Sequence, residues 1–92
     1  MRFEWDPKKA AANLRGHGVS FEEAATVFGD PLAQTYEDPD ASQDEVRELT
    51  FGVSSRGRSV VVAHCERRGR VRIISAREMT RSERRDYEEG NK

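Results

Sequence analysis

The sequence predicts a small α+β domain, an antiparallel sheet of about four to five strands packed against helices in the order β-α-α-β-β-β-β-α. Three observations indicate this class. Helix-start signals occur near both ends of the chain, and stretches with strand-like alternation lie between them. Arg-Gly pairs separate the last three of these stretches, as expected for hairpin turns. Because 92 residues suit one domain, residues 1–92 are predicted to form a single unit.

The first third of the chain predicts a short strand followed by two helices. Residues 2–5 alternate polar and apolar side chains, which suits the strand. Asp6, followed by proline, begins the first helix, and Gly18 stands where a left-handed helix cap is expected. Ser20 and Glu23 have the spacing of a capping box that begins the second helix, and a Gly-Asp-Pro sequence ends it.

The remaining two thirds predict a strand-rich region that ends in a helix. The predicted strands span residues 32–36, 46–54, 59–66 and 71–76. Residues 37–48 are the most polar stretch and are predicted to form the longest loop. Thr80 and Glu83 form a second capping box, which begins a final helix that reaches about residue 89.

Composition excludes several classes of protein. No apolar run is long enough for a membrane span, and no signal-peptide region follows Met1. The single cysteine, Cys65, excludes an internal disulfide and fits a reducing cytoplasm, where we expect the protein to act. Two histidines and one cysteine without metal-ligand spacing predict no metal site, and no nucleotide-binding glycine loop is present. We therefore expect no cofactor.

The charges divide unevenly along the chain. Residues 1–51 carry five Lys or Arg against eleven Asp or Glu, whereas residues 52–92 carry eleven against six. This asymmetry favours an anionic partner for the second half, with nucleic acid as the first candidate. The alternative is that the two halves pair with each other or are simply solvated.

Two arginines are the strongest candidate site. If Arg-Gly at 56–57 and at 68–69 each form a two-residue turn, one sheet face collects Leu49, Phe51, Val53, Val60, Val62 and Ile73. Arg58 and Arg77 then stand on that same face as diagonal neighbours, able to hold one phosphate between them. The alternative is that each pairs with an acidic neighbour such as Glu78 or Glu83. A slip of one residue at the second turn would move Arg77 to the opposite face.

Several other side chains could take part in chemistry at a phosphate. His17 could transfer a proton, or it could serve only as a cation at a helix C-terminus. Tyr87 and Glu83 share one face of the final helix, where Tyr87 could donate a proton, stack on a base or simply pack. His64 and Cys65 are predicted to be buried structural residues. Possible RNA-backbone contacts are Arg56, Arg70 and Arg72, which alternatively form a solvated basic strip.

The two ends of the chain resemble the BrnT family of type II toxins. The resemblance rests on F-E-W-D-P-K-K-A, N-L, H-G-V-S-F-E-E-A and V-F-G-D-P, and on G-V-S-S-R-G-R, V-V-V and R-V-R-I-I-S-A-R-E-M-T-R-S-E-R-R-D-Y-E. It extends from Phe3 to Glu88. Residues that match the recurring family pattern are His17, Arg58, Arg77 and Tyr87, with Lys8 or Lys9 in the first helix. In one departure, this chain has Ala41 where relatives often carry a histidine.

The resemblance implies a RelE-like fold and a ribonuclease toxin that arrests growth by cleaving RNA without a metal. It also implies a BrnA-type antitoxin with a ribbon-helix-helix DNA-binding part, through which alone the toxin would meet operator DNA. We expect the neighbouring 2′-hydroxyl to attack the phosphate, with the arginines stabilising its charge. An acidic antitoxin segment is expected to cover Arg58 and Arg77 at least partly. The main rival hypothesis is a non-catalytic protein-interaction module, and a sequence-specific DNA binder ranks last.

Overall fold

Within residues 1–40 and 46–91 the fold has five strands and three α-helices. The structure, a computed structural model, describes residues 1–40 and 46–91. The strands are β1 (Phe3–Glu4), β2 (Gln34–Glu37), β3 (Glu48–Val53), β4 (Ser59–Arg67) and β5 (Arg70–Glu78). The helices are α1 (Pro7–His17), α2 (Phe21–Thr26) and α3 (Arg81–Gly90). A short 3₁₀ helix, Val27–Gly29, extends α2. The predicted class and order of elements are confirmed, although Ala41 lies outside the described residues.

The strands form one sheet in the order β1-β5-β4-β3-β2. The prediction of a wholly antiparallel sheet is wrong in one strand, because β1 runs parallel to β5. The chain leaves β1 through α1 and α2, so β1 and β5 are not joined by a turn and are free to run parallel. The other three pairings are antiparallel, as predicted.

Side-chain caps begin each helix where the sequence indicates. The carboxylate of Asp6 accepts a hydrogen bond from the backbone N–H of Lys8, and the Thr80 capping box is complete in both directions. At the second helix only half of the predicted box forms. Ser20 Oγ accepts from the backbone N–H of Glu23 at 3.0 Å, but the Glu23 carboxylate points to Ser54 and Arg58 on the sheet.

The first hairpin differs from the prediction by one residue. The backbone N–H of Ser54 donates to the carbonyl of Arg58 at 2.8 Å, so the turn contains three residues. Consequently Phe51 pairs with Val61 rather than with Val62. A one-residue shift transfers a whole strand to the other face. Thr50 therefore enters the core, and the prediction that Leu49, Phe51 and Val53 share the face of Val60 and Val62 is wrong.

The second hairpin has the predicted two-residue turn but an unpredicted bulge. Arg67 pairs with Arg70, and Arg68 and Gly69 have φ angles of 54° and 75°, as the turn requires. His64 pairs with Ile73 as predicted, but Ala63 pairs with Ser75. The extra residue on β5 shifts the pairing of all later β5 residues with β4 by one position. The amino-acid pattern does not encode this shift.

Helices cover both faces of the sheet. On one face, α1 and α2 enclose a core formed by Val19, Phe21, Ala24, Val27, Val60, Val62, Ile73 and Ala76. The buried His64 belongs to this side, where its Nε2 lies 2.7 Å from Thr50 Oγ1 and its ring packs on Phe28. Burial lowers the pKa of His64 below its ordinary value. Cys65 is also buried, and both residues are placed as predicted.

The opposite face carries α3, which buries Tyr87 and leaves most of its other side chains exposed. Within residues 1–40 and 46–91, no helix has the length and apolar character of a membrane span.

Candidate functional site

The first candidate cluster joins α2 to the turn between β3 and β4. Glu23 Oε2 accepts hydrogen bonds from Ser54 Oγ at 2.7 Å and from Arg58 Nε at 2.9 Å, and Glu23 Oε1 accepts from Arg58 Nη2. Arg58 Nη2 also donates to the carbonyl of Gly18 at 2.9 Å. The Glu23 side chain is only 4% exposed and that of Arg58 27%. Arg58 therefore supplies the counter-charge for a buried carboxylate.

Electrostatics in this cluster favour the ionised pair. Hydrogen bonds from Arg58 lower the pKa of Glu23, and together with the bond from Ser54 they outweigh its burial. The same contact raises the pKa of Arg58. Arg56 lies nearby on the exposed turn, with its Nη1 at 3.8 Å from Glu23 Oε1. Glu78 lies 3.9 Å from Arg58 Nη1.

The second candidate cluster joins the end of β5 to the start of α3. Arg77 Nη1 and Nη2 donate to the two carboxylate oxygens of Glu83 at 2.7 and 2.9 Å, a bidentate pair. Glu83 also accepts from the backbone N–H of Thr80 at 2.9 Å, which completes the helix cap. The hydrogen bonds from Arg77 lower the pKa of Glu83 to about 2. The Arg77 side chain is 42% exposed, more than that of Arg58.

One turn further along α3, Tyr87 reaches across to Asp30. The Tyr87 hydroxyl donates to Asp30 Oδ2 at 2.7 Å, and this oxygen also accepts from the backbone N–H of Val53. Burial, together with this hydrogen bond, raises the pKa of Tyr87 to about 12. Burial alone would raise the pKa of Asp30, but hydrogen bonds from Tyr87, Val53 and Leu32 outweigh it and lower the pKa.

The predicted placement of Arg58 and Arg77 on one face of the sheet is wrong. Arg77 pairs with Val61 and shares its face of the sheet. Arg58 precedes Val60 and Val62 by two and four residues and therefore shares their face, so the two arginines stand on opposite faces. The cause is the bulge beyond Ile73, which shifts the pairing of Arg77 with β4 by one residue and so moves its side chain to the other face. Both arginines nevertheless lie at the same end of the sheet, and each holds an acidic side chain.

His17 lies apart from the Arg77 cluster. It is the last residue of α1 and is exposed. The carbonyl of the next residue, Gly18, accepts from Arg58, which places His17 on the Arg58 side. Glu83 and Tyr87 therefore accompany Arg77, and His17 accompanies Arg58.

The predicted RNA contacts are dispersed over the surface. Lys8 and Lys9 are exposed at the start of α1, about 14 Å along the helix from its last residue. Arg70 is exposed at the turn between β4 and β5, where it lines a pocket with Arg67, Arg68 and Glu4. Arg72 is paired with Glu4 at 2.8 Å. Because β5 separates Arg70 from Arg77 by seven residues, the two basic regions lie about 23 Å apart.

Sequence reasoning missed the importance of Asn13 and Asp30 and assigned Glu23 only to a cap. Asn13 is buried, and its side chain bonds to the backbone of Val19 and Ala76. An asparagine within a run of good helix formers is a weak signal, since this residue disfavours helix interiors. Nothing in the sequence pattern distinguishes Asp30 from an ordinary turn residue.

Comparison with known proteins identifies the family. A family model described as the ribonuclease toxin BrnT of type II toxin–antitoxin systems matches residues 5–83. This chain belongs to the BrnT family. The BrnT match includes His17, Arg58, Arg77 and Glu83 and ends before Tyr87. The predicted resemblance is thus confirmed.

A solved structure shows that the fold is shared within the BrnT family. The Brucella abortus ribonuclease toxin BrnT superposes with a TM-score of 0.67 at 19% sequence identity, covering 88% of this chain and 99% of that one. The comparison with curated protein sequences found no significant match.

Proposed function

We propose that this protein is an endoribonuclease toxin that cleaves RNA without a metal ion. The observation that carries the proposal is the match to the ribonuclease toxin family over residues 5–83. The partly exposed Arg77–Glu83 pair supports it, since a guanidinium can exchange a carboxylate for a phosphate of similar geometry.

The chemistry requires only groups that this chain and RNA possess. The 2′-hydroxyl loses a proton and attacks the adjacent phosphorus, the P–O5′ bond breaks, and the departing 5′-oxygen takes up a proton. A 2′,3′-cyclic phosphate and a 5′-hydroxyl result. The 2′-hydroxyl distinguishes RNA from DNA. We assign Arg77 to the negative charge that develops on the phosphate.

The proton-transfer roles follow from what lies near Arg77. Tyr87 lies one turn from Glu83 and is protonated at neutral pH, since its pKa is raised to about 12. We assign it as the proton donor to the leaving oxygen, a role that requires its hydroxyl to leave Asp30 Oδ2. If Arg77 released Glu83 and bound the RNA phosphate instead, the Glu83 carboxylate would be free to accept the proton of the 2′-hydroxyl. His17 lies beside the Arg58 cluster, so we assign it no part in the chemistry.

The remaining basic residues are assigned to the RNA backbone. Arg70 lines a pocket with Arg67 and Arg68 of the same hairpin turn and with Glu4, and it is the first such contact. Arg56, Lys8 and Lys9 are exposed and would add weaker, salt-sensitive contacts. Arg72 is paired with Glu4 and would contribute least.

The partner we propose is a BrnA-type antitoxin with a ribbon-helix-helix part. The family description, which names a type II toxin–antitoxin system, supports a protein antitoxin. Contact with operator DNA would occur only through that antitoxin.

The test is cleavage of a purified RNA in EDTA. We expect wild-type cleavage and a loss of about 10²–10³-fold for Arg77→Ala, with Arg85→Ala as a control that removes an exposed arginine from α3. His17→Ala should retain cleavage. Cleavage by Arg58→Ala is compared with the thermal unfolding of the same variant, because the change removes the partner of the buried Glu23. Unchanged cleavage by Arg77→Ala would refute the assigned phosphate site.

A non-catalytic protein-interaction module is the second candidate, favoured by one observation. Both Arg58 and Arg77 are paired with carboxylates of this same chain, as purely structural arginines would be. This alternative requires that the wild-type protein neither cleaves RNA nor arrests growth on induction. Growth arrest without cleavage of purified RNA would instead indicate a toxin that needs the ribosome.

A further inference from the structure

A groove of about 340 Å³ lies between α3 and the outer strands β2 and β3. Its floor is formed by Leu49 and Phe51, on the sheet face opposite α1 and α2. Tyr36 stands on the strand side and Tyr87 on the helix side. The groove arises because the shifted first hairpin places Leu49 and Phe51 outside the main core, where α3 covers them incompletely.

Aromatic rings make this groove a surface that favours binding. Tyr36 is 55% exposed, and its ring lies 5.8 Å from that of Phe51 at an angle of 76°. Exposed aromatic side chains beside a concave apolar floor are typical of protein interfaces, where they anchor the partner. Ring faces also attract cationic groups.

The charge of the groove selects a positively charged occupant. Asp86 lines it from α3 and is exposed, and in the described part of the chain it forms no ion pair. Glu83 also lines the groove, but it is already paired with Arg77. No lysine or arginine is among the described residues that line the groove. A lysine or arginine of a partner would pair with Asp86, whereas an RNA phosphate would be repelled by it.

Strand β2 offers backbone groups next to the groove. It is the outermost strand, paired with β3 on one side, and its other edge faces no strand of the described chain. An extended segment can add to such an edge through main-chain hydrogen bonds. Alternate side chains of that segment would then enter the groove, because successive residues of a strand point to opposite faces.

We propose that this groove binds an extended segment of the protein antitoxin, with a lysine or arginine meeting Asp86 and an apolar side chain on Leu49 and Phe51. The inference rests on membership of a toxin–antitoxin family and does not depend on RNA cleavage. It differs from the expectation that an acidic segment covers Arg58 and Arg77, both of which hold carboxylates of this chain.

The test is the affinity of the purified cognate antitoxin for charge-reversed toxin. The variant Asp86→Lys should bind about tenfold or more weakly than wild type. The control Glu22→Lys makes a charge change of the same kind on α2, on the other side of the sheet. Thermal unfolding of each variant establishes that it is folded. Binding within twofold of wild type by the folded Asp86→Lys variant would overturn the proposal.

A rescue experiment separates direct contact from an indirect effect. Each basic residue of the antitoxin is replaced in turn by glutamate and tested against Asp86→Lys. We expect one replacement to restore binding, and failure of all of them would contradict a direct ion pair.

Binding of RNA is the competing outcome. A 2′-O-methyl oligoribonucleotide that shifts the NMR signals of the Tyr36 and Phe51 rings, when the antitoxin does not shift them, would assign the groove to RNA. Loss of cleavage in EDTA affects none of these readouts, so the two proposals fail independently.

Discussion

The side chain of Asn13 takes the place of a neighbouring strand for Ala76. Asn13 Oδ1 accepts from the backbone N–H of Ala76 at 3.0 Å, and Asn13 Nδ2 donates to the carbonyl of Ala76 at 2.8 Å. The same Nδ2 donates to the carbonyl of Val19 at 2.9 Å. Because β1 pairs only with Val71 and Arg72, the rest of this β5 edge needs other partners.

Replacement of Asn13 by alanine should therefore be strongly destabilising. The change leaves three buried backbone groups without partners, which costs about 2–4 kcal/mol. Urea unfolding measures the loss, and hydrogen exchange should accelerate at the Ala76 amide. Lys9→Ala, an exposed change in the same helix, serves as control and should alter stability by less than about 0.5 kcal/mol. Equal effects of the two changes would contradict the role of Asn13.

Two glycines should respond in opposite directions to alanine. A Cβ on Gly52 would lie 2.9 Å from Val27 Cγ1 and 3.2 Å from Asp30 Oδ2, so Gly52→Ala should destabilise by about 1–3 kcal/mol. A Cβ on Gly16, inside α1, would meet nothing within 4 Å. Gly16→Ala should stabilise by about 0.5–1 kcal/mol. Chemical denaturation of both variants tests the pair, and a stabilised Gly52→Ala would disprove the close packing.

Glu23→Gln should lower the thermal midpoint even though the shape of the side chain is retained. The amide of the introduced glutamine would direct an N–H donor at Arg58 or Ser54, and Arg58 would lose its buried charged partner. We expect the midpoint to fall by about 5 °C or more. The neighbouring exposed Glu22→Gln should have little effect. A midpoint of Glu23→Gln equal to that of wild type would mean that the buried pair does not stabilise the fold.

The Arg77–Glu83 pair should make stability depend on acid pH. The folded pKa of Glu83 is about 2, below its ordinary value of 4.5. Its contribution is therefore fully present above pH 4.5 and is lost as the pH falls toward 2. Glu83→Gln removes this contribution, so its free energy of unfolding should fall less steeply than that of wild type across this range. Parallel curves would contradict the lowered pKa.

The burial of Tyr87, together with its hydrogen bond to Asp30, predicts the opposite dependence in alkaline solution. The folded pKa of Tyr87 is raised from 10 to about 12. Stability from this group is present below pH 10 and is lost as the pH rises through 12. Denaturation of wild type and Tyr87→Phe between pH 9 and 11.5 should show the decline in wild type alone. Absorbance titration should also find a tyrosine that ionises near pH 12.

The sequence was most informative about local structure. The Asp6, Ser20 and Thr80 caps depend on neighbours within three residues, and all three begin helices as predicted. The Arg68-Gly69 turn was equally predictable, because glycine adopts its positive φ angle without strain. The family was also evident from residues spread along the chain.

The sequence was least informative about register. A three-residue turn before Arg58 and a bulge beyond Ile73 each displaced one strand by a single position. Each displacement reversed the faces of the residues it affected, which separated Arg58 from Arg77 and exposed Phe51 to the groove. A two-residue turn and a three-residue turn both agree with the alternation of the valines, so this alternation alone could not distinguish between them.

By itself, then, the sequence determined the elements, their order and the family, since caps, turns and short-range alternation act between near neighbours. Only the tertiary structure decided which side chains meet. Glu23 with Arg58, Arg77 with Glu83, Tyr87 with Asp30 and Asn13 with Ala76 form across different elements. Their partners are set by strand register and by packing of buried polar groups, which depend on contacts made throughout the folded chain.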